Sequence, residues 1–537
     1  MDIVESLKLK IQSSLAKLNQ EVSLNDIIIE KSKDASHGDY ASNIAMKSSR
    51  LFGKAPRDVA TLIIENLDMN DIEKVEIAGP GFINFFMKND SLQQIVKKII
   101  DEGDNYGRLE RKNQKVNVEF VSANPTGLLH VGTARGAAIG DSICRILDFA
   151  GYDVTREYYI NDAGSQITNL GLSIQARYQQ LFGIEASIPE DGYAGDDIKD
   201  IAQQIKDELD DKALNMDLSY FKEKGMKIEL DRIVKDLDTF RVRFDVFSSE
   251  KVIRADNAIE KELEFLKDYI YEADNALYLK TTAFVDDKDR VVKKSNGDYT
   301  YFMPDICYHV NKMSRGYDFI IDVLGADHHG YINRMKSALM MHGYKENALH
   351  VELIQMVRFL KDGQEFKASK RRGDAITLRD VCEEVGVDAM RYFFAMRAAS
   401  GHLDFDMDLA KEQSANNPVY YAQYAHARLC SILEQGKEIP IDESAKNLKE
   451  QSEMALLKHL ADFSKVVNDA ANDKAPYKIA NYIHALAEMV HVFYNECRVI
   501  DKNNTEICSS RLALVKASQI VIKNALNLIG VSAPIHM

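Results

Sequence analysis

Two short segments gather the residue types that phosphate chemistry uses. The first is Pro125-Thr126-Gly127-Leu128-Leu129-His130-Val131-Gly132-Thr133. A turn that admits phosphates needs small residues, and Gly132 removes a Cβ that would block approach to the backbone. A histidine at a helix start can donate hydrogen bonds to phosphate oxygens, where free N–H groups already favour an anion. The second is Phe366-Lys367-Ala368-Ser369-Lys370-Arg371-Arg372-Gly373-Asp374, with four basic residues in six positions. Its lysines suit charge that develops on phosphates during transfer. Each segment also has a plain reading on its own, a structural turn for the first and a solvated basic loop for the second. Further along, Tyr421, Tyr424 and Arg428 recur at three and four spacing on one helical face. Aromatics beside an arginine suit unstacked bases, with inward packing as the alternative.

These residues must be held by elements. Val116 to Val121 alternates and is rich in β-formers, Asn124 to Gly127 breaks the run, and Thr133 to Ala150 has helical period. Strand, polar turn and helix open an α/β nucleotide-binding unit. Before it, residues 1–108 read as a small α+β unit. It has helices over Met1 to Leu18, Asp39 to Phe52 and Pro56 to Leu67, β-like runs around Gly79-Pro80-Gly81, and Ser91 as the cap of a last helix. The α/β unit is expected over 109–400, with an acidic, mostly helical insertion at about 170–285. Strand-like runs return at Phe319 to Leu324 and at His350 to Val357. From 401 to 537 the apolar spacing is helical throughout, so a helical bundle is appended to the core.

At 537 residues, with 45% hydrophobic and 28% charged, the chain exceeds one core and reads as globular. That composition excludes a disordered or collagen-like chain. No run of apolar residues is long enough to span a membrane, and Met1 to Glu5 lacks the basic start of a secretory signal. The net charge of -15 argues against a basic coat for nucleic acid but leaves room for local basic patches. The six cysteines are scattered without a Cys-x-x-Cys pair, which suits buried thiols in a reducing cytoplasm rather than zinc or disulfides.

Together, His130-Val131-Gly132-Thr133 and Lys367-Ala368-Ser369-Lys370 resemble the HIGH and KMSK motifs of class I aminoacyl-tRNA synthetases. Longer segments resemble arginyl-tRNA synthetases along nearly the whole chain. They include His37-Gly38-Asp39-Tyr40, Ala78 to Asn84, Glu119 to Pro125, Tyr159 to Gly164, Asp298 to Asp305, Gly325 to Gly330 and Gln423 to Arg428. The resemblance implies a Rossmann-type catalytic core, an N-terminal additional tRNA-binding domain and a C-terminal helical anticodon-binding domain. It implies arginine activation with ATP and Mg²⁺, then transfer to tRNA(Arg), by a cytoplasmic monomer with no membrane partner and no metal of its own. Activation before transfer is expected to need bound tRNA.

By the same resemblance, Glu119 and Asp305 hold the guanidinium with Tyr301 beside them, while Ser122 and Asn124 hold the α-amino and carboxylate end. A guanidinium offers five donors and no acceptor, so carboxylates and a phenol suit it. Pro125, Gly127, His130, Gly132, Gly325, Asp327, His328, Lys367 and Lys370 are expected around ATP. His130, Gly132, Thr133, Lys367, Ser369 and Lys370 are the expected catalytic set. Tyr421, Tyr424, Arg428, Tyr494 and Met537 are expected at the anticodon. Thr133 departs from the family's second histidine; it can donate one hydrogen bond to a phosphate oxygen but carries no charge. Two other classes stay open on the residues alone. One is a nucleotidylyltransferase acting on a small molecule, and the other is a tRNA-binding paralogue without chemistry.

Overall fold

The computed structural model describes residues 3–32, 37–255, 257–366, 376–501 and 503–537. The N-terminal unit is α+β, as its composition implies. An antiparallel sheet runs in the order Ile29–Lys31, Tyr40–Ser42, Phe82–Met87, Ile72–Ala78 and is covered by helices Ile3–Lys17, Ile44–Phe52, Pro56–Glu65 and Asn89–Glu102. The helix expected from Asp39 begins only at Ile44, because Tyr40–Ser42 alternates inward and outward and pairs with Phe82–Met87. The last helix starts at Asn89, so Ser91 lies inside it and does not cap it. Gly79 and Gly81 turn the Ile72–Met87 hairpin with positive φ of 51° and 136°. A Cβ on Gly81 would stand 3.0 Å from the Pro56 backbone carbon, so only glycine suits that position.

The middle of the chain builds a five-stranded parallel sheet in the order Leu349–Ile354, Phe319–Gly325, Lys115–Glu119, Asp153–Ile160, Val246–Ser249. The strand that comes first in the chain lies at the centre. The chain adds two strands to one side, then crosses to add two to the other. The direction of winding therefore reverses between Lys115–Glu119 and Phe319–Gly325, and ligands of open α/β sheets bind beyond the strand ends at such a reversal. The stretch expected as a helical insertion is helical through Ser165–Gln180, Asp196–Leu209 and Leu218–Thr239. It then supplies the edge strand Val246–Ser249 and a small antiparallel sheet, Arg290–Lys293, Ala276–Leu279, Ile270–Ala273.

Helix Ala134–Phe149 has 13 of its 16 residues buried, which makes it the axis of the core rather than a surface helix. A Cβ on Gly140 would lie 2.4 Å from the Phe120 ring, so this glycine lets the helix approach the end of the central strand. The C-terminal region is a bundle of helices Pro418–Gln435, Gln451–Ala461, Phe463–Asp473, Pro476–Glu496 and Thr505–Leu528. One apolar core runs from Ile3 to Val531 through all three regions. The first region packs directly on the last. The Tyr106 hydroxyl donates to the Leu460 carbonyl at 2.9 Å, Gln93 donates to the Leu448 carbonyl at 2.9 Å, Asn524 donates to the Tyr106 carbonyl at 3.2 Å, and Lys31 pairs with Asp462 at 2.7 Å.

Candidate active site

The central strand ends at Glu119 and the backbone then turns sharply. Val121 and Ser122 both have positive φ, 69° and 42°. That region is sparsely populated for residues with a Cβ and is most costly for a β-branched one. The elbow is pinned by its own serine: Ser122 Oγ donates to Glu119 Oε1 at 2.9 Å and accepts from the Tyr159 N–H at 3.1 Å. Asn124 follows, donating to Gln166 Oε1 at 2.7 Å.

The histidine segment comes next. His130 caps a short 3₁₀ turn, Val131–Thr133, that leads into helix Ala134–Phe149. Its Nδ1 accepts from the Gly132 N–H at 2.8 Å. A neutral imidazole that accepts at Nδ1 carries its proton on Nε2, which leaves an N–H donor facing out of the turn. Burial lowers the pKa of His130, favouring that neutral form. The segment is clamped from behind. The Val131 N–H donates to the Ile376 carbonyl at 2.9 Å and the Leu378 N–H to the Leu129 carbonyl at 2.8 Å. Residues 376–378 thus lie against the histidine turn. Lys367, Ser369 and Lys370 precede them in the chain and lie outside the described residues.

Two cavities flank this turn. One, of about 570 Å³, lies at the sheet's reversal point and is lined by Gly132, Thr133, Gly325 and Asp327 together with Val121 and Gln355. His328 stands beside Asp327 at 3.7 Å and is half exposed. The second, of about 670 Å³, is lined by Asn124, Gly127 and His130 with Asp197 and Arg379. Pro125 is buried under that turn. Arg135, fully buried at the helix start, holds the far wall of the first cavity. It donates to the carbonyls of Gln355 and Gly401 at 2.8 Å and of Ala398 at 2.9 Å.

The acidic part of the site is more developed than the sequence reading. Helix Phe302–Ser314 sets Asp305, His309 and Lys312 at four and three spacing on the face toward the sheet. The Lys312 ammonium pairs with Glu119 and, at 2.8 Å, with Asp322. His309 reaches the Asp322 carboxylate through Nε2 and the Asp305 carbonyl through Nδ1, each at 2.7 Å. Burial pushes the Asp305 carboxyl up to about 6, with Glu119 and Glu250 adding to the rise against the opposing pull of His309 and the Tyr331 hydroxyl. Asp322 is buried too, yet Lys312 and His309 hold it below the usual carboxylate range. Tyr301 is not brought to this cluster: it precedes the helix and is 89% exposed. The phenol that hydrogen-bonds Asp305 belongs to Tyr331, which the sequence reading missed, as it missed Lys312 and Asp322.

Far along the chain, the five residues expected at the anticodon do converge. Tyr424, Arg428, Tyr494 and Met537 line a cavity of about 760 Å³, with Arg498 and His536. Tyr421 lines an adjoining one of about 280 Å³ with Tyr420 and His491. Arg428 lies 4.3 Å from the Tyr494 ring centre and 5.0 Å from that of Tyr424. The tail that carries Met537 is held by Gln423, which donates to the Ser532 carbonyl at 3.0 Å, and by His426 against the Pro534 carbonyl at 2.8 Å.

Among the described residues, no three His, Cys, Asp or Glu side chains are gathered for a metal ion, and no helix is long and apolar enough to cross a membrane.

Comparison with known proteins accounts for this arrangement. Residues 5–87 match the arginyl tRNA synthetase N terminal domain, residues 95–397 the catalytic domain of class I (R) tRNA synthetases, and residues 422–537 the DALR anticodon binding domain. The chain is 49% identical to the arginine–tRNA ligase of Bacillus subtilis over 99% of its own length and 98% of that protein's. It is 50% identical to that of Shouchella clausii, over 99% of each. The Thermus thermophilus arginyl-tRNA synthetase structure shares the fold, with a TM-score of 0.79 at 22% identity and all of both chains covered. With three domain matches in order and full-length identity near one half, the chain belongs to the arginyl-tRNA synthetases, the class I arginine–tRNA ligases.

Proposed function

We propose how this arginine–tRNA ligase divides its reaction among its own residues. Glu119 and Asp305 receive the substrate guanidinium, and the elbow residues Ser122 and Asn124 face the amino-acid end. Adenosine of MgATP occupies the cavity lined by Gly132, Thr133, Gly325 and Asp327. His130 offers its Nε2 proton to a phosphate oxygen, and Thr133 adds a hydroxyl. Lys367 and Lys370, with Ser369 between them, complete the phosphate contacts. An arginine carboxylate oxygen then attacks the α-phosphorus, the bond to pyrophosphate breaks, and the negative charge moves onto pyrophosphate. The 2′-hydroxyl of the terminal tRNA adenosine next attacks the carbonyl carbon of the adenylate, AMP leaves, and the hydroxyl proton is released. Positioning and charge stabilisation dominate both steps. Unstacked anticodon bases of tRNA(Arg) meet Tyr421, Tyr424, Arg428, Tyr494 and Met537. We read the ligase as a cytoplasmic monomer, as the family resemblance implies.

The observation that carries this reading is the placement of acid and phosphate-binding turn on either side of one sheet reversal, with Glu119 only 11 residues before His130. The experiment is ATP–pyrophosphate exchange with arginine, with and without tRNA, for the parent and for Asp305→Ala and Lys370→Ala. Exchange that requires arginine and tRNA and drops in both variants is expected. Full exchange by either variant removes that residue from the scheme.

A further inference from the structure

The three central strands place carboxylates side by side. Glu157, Glu119 and Asp322 are register partners across Asp153–Ile160, Lys115–Glu119 and Phe319–Gly325, so all three project from one face of the sheet at one level. Like charges set opposite each other in a sheet repel, and burial sharpens the cost. The row is nonetheless 7% exposed at Glu119, 2% at Asp322 and fully buried at Glu157.

The partners of the three acids differ. Glu157 is saturated: it accepts from Asn117 at 2.5 Å, Ser248 at 2.5 Å, Tyr308 at 3.0 Å and Arg315 at 2.7 Å. Asp322 has one oxygen on His309 and the other on Lys312. Glu119 has Lys312 on Oε2 and the Ser122 hydroxyl on Oε1, with the Tyr308 hydroxyl, which donates to Glu157, also within its reach. A carboxylate offers about four acceptor sites, so Glu119 and Asp322 both keep capacity for a further donor, and of the two Glu119 is the more exposed, at the end of its strand. The cation that bridges Glu119 to Asp322 is wholly buried, and its ammonium also lies 4.4 Å from the Tyr308 ring centre.

We propose that Lys312 is a positioning residue for arginine: its ammonium fixes Glu119 by one oxygen and offsets the charge that Glu119 and Asp322 place side by side, leaving the other oxygen to share the substrate guanidinium with Asp305. This rests on the arginine pocket proposed above. Lys312 does not touch the substrate. It acts through Glu119, and it fills the inner end of the acidic trench with a charge of the substrate's own sign. A bound arginine is thereby held at the outer edge of the row, toward Ser122 and the phosphate-binding turn.

The test is steady-state exchange in the presence of tRNA, with KM measured separately for arginine and for ATP. The variants are Lys312→Met, Glu119→Gln and the two combined. Lys312→Met is expected to raise the arginine KM about thirtyfold or more, the scale of losing one partner of a buried charge pair, and to leave the ATP KM within about twofold. Combined with Glu119→Gln it should add little, because both changes remove the same interaction. An unchanged arginine KM in Lys312→Met overturns the proposal, as does a rise that adds in full to that of Glu119→Gln. An unaffected arginine KM in Glu119→Gln defeats the pocket reading instead. Should Lys312→Met fail to fold, Lys312→Met with Asp322→Asn keeps the charge balance, and the same split between the two KM values decides.

Discussion

Asp305 gives the site a dependence on pH. Burial raises its carboxyl to about 6, and a guanidinium is held by the ionised form. The arginine KM should therefore be flat above neutrality and rise as pH falls through 6, by about tenfold per unit well below it. Asp305→Asn should raise the KM by about thirtyfold or more at pH 7.5 and flatten that limb. Initial rates between pH 5.5 and 8 at saturating ATP measure both, and a parent profile without the acid limb defeats the assignment. The sign for stability is opposite. A carboxyl raised by burial binds more protons folded than unfolded, so its contribution to stability falls as pH rises from about 4 to 6. Legibility at this scale divides by surroundings. Glu119 closes a strand and His130 stands two residues before a glycine, features visible in the sequence, whereas Asp305 is marked only by the family resemblance of its segment. Lys312 and His309 carry a readable signal, an acid, a histidine and a lysine at four and three spacing on one helical face. Their partner Asp322 lies in another strand, and sequence spacing does not report such pairing. Tyr301 lies in a matched segment, yet at the helix start its side chain points outward.

Among elements, the joint that sets the nucleotide cavity is the start of helix Ala134–Phe149. Arg135 projects from it to three carbonyls on two segments that lie more than 200 residues away in the chain. It has no carboxylate partner among its hydrogen bonds, and burial lowers its guanidinium to about 10. Arg135→Met should remove the side-chain donor from the Gln355 and Gly401 carbonyls, while Ala398 keeps the Gly401 N–H, and cost about 3 kcal/mol. It should also raise the ATP KM while sparing that for arginine. Denaturant unfolding and the two KM values test this together; an unaltered ATP KM removes Arg135 from the cavity's support. Strands and helices of the core were largely legible because their apolar periods are clean. The central strand stops at Glu119 rather than Val121, since the backbone turns left-handed at Val121, the last residue that sequence propensity assigns to the strand, and at Ser122 after it. Val246–Ser249 was hidden for a different reason: it is a four-residue edge strand following a run of three helices.

Across the molecule, catalytic core and helical bundle meet at one buried guanidinium. Arg391 is 0% exposed; it pairs with Asp141 at 2.5 Å and donates at 3.0 Å to the carbonyls of Phe240 and Ile529. Gly530 has φ of 67°, and a Cβ there would stand 2.2 Å from that guanidinium. The junction thus joins the core's axial helix to the end of the last helix, seven residues before Met537. Arg391→Met should lower stability by about 3 kcal/mol and raise the KM for tRNA more than that for arginine. Melting curves and aminoacylation kinetics decide, and a tRNA KM that does not move separates the junction from anticodon binding. The order of the three regions was readable from composition and turn residues. That the first packs on the last was not, because hydrogen bonds such as Tyr106 to Leu460 join positions 354 residues apart.

That closure has a consequence for how the chain is made. The surface around Tyr106 is synthesised early, and the partners that bury it come 354 and 418 residues later. At about 5–20 residues per second, the ribosome leaves it waiting for roughly 20 to 80 s. Through that interval the N-terminal unit carries Leu92, Val96, Ile99 and Tyr106, all buried in the finished protein, with no bundle to cover them. A nascent arginyl-tRNA synthetase of this architecture is thus a natural client for whatever shields apolar surface at the exit tunnel.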